Sequence, residues 1–128
     1  MKPITQEWIN KAEGDWVSAQ REARARRMPN YDAACFHTQQ CAEKYLKARL
    51  QEAAIPFQKT HDLEKLLKLV IAVEPTWQTL TNELTDLNDF AVDIRYPGPA
   101  ATKSDAQAAI KNCRRVRAVI RSAFGLPV

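Results

Sequence analysis

The sequence predicts an all-α protein, an antiparallel up-and-down bundle of about four or five helices formed by one domain over residues 1–128. Three observations lead there. Apolar residues recur at helical spacing in successive stretches. Proline and glycine gather at the few points that separate those stretches. No segment finds a partner strand elsewhere in the chain.

The first helix is expected from Thr5 to Arg27, with Thr5 as N-cap and Trp8, Ala12, Trp16, Ala19 and Ala23 on one face. Met28-Pro29-Asn30 ends it, because proline disfavours helical geometry in the residue before it. Asn30 then caps a second helix, Tyr31 to Ala54, with Asp32 in its first turn. Apolar residues lie in nearly every direction around this helix, which marks it as central. Its small residues Ala33, Ala34, Ala42 and Ala48 let neighbours approach closely. Ile55-Pro56-Phe57 closes it.

Thr60 is the expected cap of a third helix, with Leu63, Leu66, Leu67, Val70 and Ile71 as its apolar face. Residues 69–73 carry strand propensity, but they lack a partner and are read as helix. Pro75 suits the first turn of a fourth helix, striped by Trp77, Leu80, Leu84, Leu87, Ala91 and Ile94. Arg95-Tyr96-Pro97-Gly98-Pro99 forbids its continuation. Ser104 with Gln107 reads as the capping box of a last helix that runs through Phe124 to Gly125.

Composition narrows the function. Hydrophobic residues at 45% and charged residues at 27% suit a globular chain and exclude a disordered one. No apolar run reaches the roughly 20 residues of a bilayer span, and the first residues contain no secretory signal, so a cytoplasmic protein without membrane contact is expected. Three cysteines, Cys35, Cys41 and Cys113, without a Cys-x-x-Cys pair, speak against both a disulfide framework and a thiolate zinc site. Two histidines without His-x-x-x-His spacing leave a metal site little support, and no cofactor is expected. The net charge of +4 is modest, but basic residues crowd two segments, Arg21–Arg27 and Lys111–Arg121. Such clusters can hold phosphates; at helix ends they also offset the negative pole of the macrodipole.

One polar strip survives on the second helix. At about 100° per residue, His37, Gln40, Lys44 and Lys47 fall within one narrow sector. Lys44 and Lys47 can contact phosphate, Arg95 can grip one with two parallel donors, and the Tyr96 ring can stack on a base. The alternative is that the strip is merely an exposed helix edge and that Tyr96 plugs the end of the bundle.

Three stretches stand out together: Ala33-Ala34-Cys35-Phe36-His37-Thr38-Gln39-Gln40-Cys41-Ala42-Glu43-Lys44-Tyr45-Leu46-Lys47-Ala48, then Lys59-Thr60-His61-Asp62-Leu63, then Arg95-Tyr96-Pro97-Gly98. In their order and spacing the chain resembles the HEPN family (higher eukaryotes and prokaryotes nucleotide-binding domain) from about Trp8 to Val119. The resemblance implies a helical bundle, frequently a homodimer, with a nucleotide or RNA role beside a minimal nucleotidyltransferase partner in a prokaryotic toxin–antitoxin pair. Many members are metal-independent ribonucleases with an Arg followed roughly four to six residues later by His, the usual group for moving protons near neutral pH. Here no histidine follows Arg95, so that activity does not carry over, and a non-catalytic module is expected. The other readings are a ribonuclease with a rearranged site drawing on His37, His61 and Arg95, and a helical interaction protein docking through exposed tryptophans.

Overall fold

Caps and breakers set the elements, and packing trims their ends. The computed structural model describes residues 1–93, 97–98 and 100–128. Helix α1 spans Pro3–Arg24, with Pro3 pre-set at its first position. It starts earlier than expected, because Thr5 is buried inside the first turn and its hydroxyl donates to Glu52 Oε1 at 2.8 Å. It also stops at Arg24 rather than Arg27. Pro29 forbids helical geometry at Met28, which adopts φ 49°.

Helix α2 spans Tyr31–Glu52, and Asn30 caps it by accepting from the Ala33 N–H at 2.9 Å. Its end is a Schellman turn. Ala54, at φ 56°, takes the left-handed position, while Ile55 N–H donates to Leu50 O and Ala54 N–H to Gln51 O. Helix α3 spans Leu63–Val70. Its cap is Asp62 rather than Thr60: Asp62 Oδ1 accepts from the Glu64 and Lys65 N–H groups, and Thr60 Oγ1 accepts from the Asp62 N–H. Residues 71–73 form a turn.

A 3₁₀ segment, Pro75–Leu80, leads into α4, Thr81–Asp93. The Ala91 and Ile94 side chains expected on its stripe lie outside the described residues. Helix α5 spans Lys103–Ala123. Its capping box is Thr102 with Asp105 rather than Ser104 with Gln107. Gly125, at φ 70°, ends it as expected, with Leu126 N–H donating to Arg121 O.

Cross-links fix the directions. Thr5 meets Glu52 and Glu13 meets Tyr45, so α1 and α2 run antiparallel. Asp32 accepts from the Ala101 N–H at 2.7 Å and Tyr45 accepts from Arg121, so α5 runs parallel to α2. Helix α1 therefore runs opposite to both α2 and α5, and α3 packs on α2 and α4. Helices α1, α3, α4 and α5 all pack on α2. Its Tyr45, Leu46, Leu50, Cys35 and Cys41 are fully enclosed, as the all-round apolar pattern requires. Each large apolar side chain so buried contributes roughly 1.5–3 kcal/mol. Trp16 and Trp77 are buried and Trp8 is half-buried, which removes them as exposed docking residues. No described helix is long and apolar enough to cross a membrane.

Candidate functional site

The polar strip of α2 does not face solvent as one edge; two buried carboxylates divide it. The first is Asp15, which interrupts the apolar face of α1 between Ala12 and Trp16 and keeps only 9% of its surface. A buried carboxylate is costly unless paired. Lys44 Nζ donates to Asp15 Oδ2 at 2.5 Å, and His37 Nδ1 lies 2.8 Å from Asp15 Oδ1. The other ring nitrogen of His37 has no protein partner among the described residues, and the imidazole is partly exposed. Phe36 packs edge-on against it at 5.4 Å. Asp15, on α1, thus orients one partly exposed cation and one partly exposed imidazole of α2.

The second carboxylate is Glu43, 3% exposed. Lys47 Nζ donates to its Oε2 at 3.1 Å, and His61 Nδ1 lies 2.8 Å from its Oε1. Gln40 and Gln39 reach the same Oε1 at 3.5 Å; Gln40 donates to Gln39 Oε1 at 2.7 Å, and Gln39 donates to the His61 carbonyl at 2.7 Å. Lys47, only 6% exposed, also lies over the Trp8 and Phe57 rings at 5.5 and 5.8 Å. Its ammonium is enclosed by protein, so it braces Glu43 from inside. The His61 side chain, by contrast, is 62% exposed.

A third carboxylate, Glu13, gathers the C-terminal basic segment. It accepts two hydrogen bonds from Arg117, at 2.8 and 2.7 Å, and one from Tyr45 Oη at 2.6 Å, with Arg121 3.5 Å away. Burial works to raise the Glu13 carboxyl pKa, but the Arg117 and Tyr45 hydrogen bonds outweigh it and the net shift is downward. The Arg117 and Arg114 guanidinium groups lie 5.6 and 5.7 Å from the Trp16 ring. Arg115 pairs with Glu83 at 2.7 Å. Much of that basic segment is therefore consumed internally.

The three thiols are buried and free. Burial pushes the Cys35 thiol up to about 11, and burial with a Cys113 contact raises Cys41. Neither is an activated nucleophile. Among the described residues, no three His, Cys, Asp or Glu side chains converge as a metal cage.

The structure thus joins His37 with Lys44, and Gln40 with Lys47 and His61. Arg95 and Tyr96 lie outside the described residues. Sequence reasoning missed Asp15, Glu43 and Gln39, the groups that organise the others. Their signal was present: each is a polar residue at a helical position otherwise reserved for core.

The family model of the HEPN domain matches residues 5–123. The crystal structure of TT1696 from Thermus thermophilus is similar over 92% of this chain and 96% of that one, with a TM-score of 0.78 at 21% identity. The crystal structure of ST0689, an archaeal HEPN homologue, is similar over 96% and 98%, with a TM-score of 0.74 at 27% identity. No curated protein matches the chain.

Proposed function

The chain belongs to the HEPN domain family, and from that premise we propose that it binds a nucleotide or RNA without cutting it. In this reading it works in the cytoplasm as a homodimer, paired with a minimal nucleotidyltransferase in a prokaryotic toxin–antitoxin-type system. The supporting observation is Asp15, which gathers His37 and Lys44, both partly exposed, where α1 meets α2. A cation held by a buried carboxylate loses little side-chain freedom when a phosphate arrives. Gln40, whose amide nitrogen donates to Gln39 and Glu43, offers its oxygen from the neighbouring cluster. Arg95 and Tyr96 are assigned to complete the site, the first on phosphate and the second on the base. Lys47 supports it from within through Glu43.

Titration of a fluorescent nucleotide tests this. Lys44→Ala and Arg95→Ala should each weaken binding about tenfold, equivalent to about 1.4 kcal/mol, and wild-type affinity should fall with salt. Wild-type affinity in both variants, with melting curves showing them folded, would remove the site.

One observation favours a second reading. Both histidines carry a carboxylate at Nδ1, the arrangement that orients a general base. A ribonuclease built that way would cleave RNA in EDTA and lose activity on His37→Ala or His61→Ala. RNA left intact by the wild-type protein with its partner present would end it.

A further inference from the structure

Helices α1 and α5 both pack on α2 but meet each other only lightly, so a groove opens between the last turns of α1 and the first half of α5. It offers about 720 Å³, and Tyr31 at the start of α2 is among its lining residues. Its walls carry Arg24, Arg26, Lys103 and Arg114, and no carboxylate lines it among the described residues. None of these four cations has an ion-pair partner among the described residues, although Glu13, Asp15, Glu43 and Glu83 take up the neighbouring ones. Macrodipole compensation accounts for Arg24 at the end of α1, but Lys103 and Arg114 belong to another helix and Arg26 to the following link.

On α5, Lys103, Gln107, Ile110 and Arg114 recur at helical spacing and form one stripe along the groove. Eleven residues at 1.5 Å rise put Lys103 and Arg114 about 16 Å apart along the axis. One phosphate cannot engage both ends; a strand carrying several can. Like charges concentrated in a concavity focus the field on a polyanion.

We propose that the groove between α1 and α5, lined by Arg24, Arg26, Lys103 and Arg114, holds the phosphodiester backbone of single-stranded nucleic acid. This site is separate from the α1–α2 seam. Preferring a nucleic acid to an acidic protein rests on the function proposed above; the cationic groove itself does not. Arg114 is held over Trp16, which limits the freedom it loses on binding. Gln20 and Gln107 add neutral donors, and such a site reads charge rather than sequence.

The experiment is anisotropy of a labelled oligouridylate of about twelve nucleotides across a salt series. The doubly substituted protein, Arg26→Ala with Arg114→Ala, should bind at least tenfold more weakly at low salt. Its log–log salt slope should be shallower by about 1.4, two phosphates at about 0.7 each. Arg115→Ala, on α5 but paired with Glu83 outside the groove, should match wild type. Uridine monophosphate and inorganic phosphate should compete poorly; displacement of the strand by either at similar concentration would overturn the strand assignment. An unchanged slope in the double variant overturns the proposal, and so does a wild-type protein that leaves the strand free. Loss of polyglutamate binding in the double variant, with strand binding unaltered, would assign the groove to an acidic protein instead. Nucleotide binding that depends on Lys44 alongside any of these failures would leave the function proposed above standing. Strand binding that depends on the groove, without nucleotide binding at the seam, would overturn only that earlier reading.

Discussion

Glu13 illustrates how one side chain can hold distant parts of a chain together. It joins Tyr45 of α2 to Arg117 and Arg121 of α5. Because its carboxyl pKa is lowered in the folded protein, the ionised form contributes stability at neutral pH. That contribution is lost as pH falls through the folded-state value, below the ordinary value of 4.5. Asp62, lowered chiefly by the Asn88 hydrogen bond, acts in the same direction. Glu13→Gln should therefore lower stability by about 1 kcal/mol at pH 7, after allowing for solvent screening. The difference from wild type should shrink near pH 3. Urea denaturation at both pH values checks this, and an equal deficit at each would rule out the charge as the cause. The sequence placed residues 13, 45, 117 and 121 on helices, but periodicity assigns a face and not a partner. The same limit hid Asp15 and Glu43, whose roles depend on what lies across the helix interface.

At the scale of elements, the breaks and the Asn30 cap were legible, and the caps of α3 and α5 were not. Asn30, Pro29, Pro75 and Gly125 act where their local chemistry says they should. Thr60 and Asp62 compete for one helix start, as do Thr102 and Ser104 for another. Asn88 donates to Asp62 and Asp32 accepts from Ala101, so tertiary hydrogen bonds decide both contests. The end of α2 preserves a local conflict, since Ala54 occupies a left-handed position that glycine fills without penalty. Ala54→Gly should stabilise the protein by about 1 kcal/mol, the relief at φ 56° exceeding the entropy added to the unfolded chain. A chemical melt measures it. A variant no more stable than wild type would mean that the strain at Ala54 does not exceed that entropy.

For the whole molecule, α2 was legible as the central helix because its apolar residues leave it only one polar strip, and packing by four other helices follows. The parallel course of α2 and α5 was not legible, since it depends on how α3 spans the bundle between α2 and α4. The candidate site was legible as a list of cations and histidines. That Asp15 collects His37 and Lys44 emerged only once α1 lay against α2, and that Glu43 reaches His61 only once the segment before α3 lay beside α2. The packing of α1 and α5 side by side on α2 sets Trp16 within 6 Å of two guanidinium groups, one of which, Arg114, also borders the groove. An indole's emission colour follows the electric field across its ring. Any occupant that draws Arg114 aside should therefore shift the protein's ultraviolet fluorescence, a signal that Trp16→Phe would abolish. The fold thus supplies an intrinsic, label-free optical gauge of whatever enters beside α5.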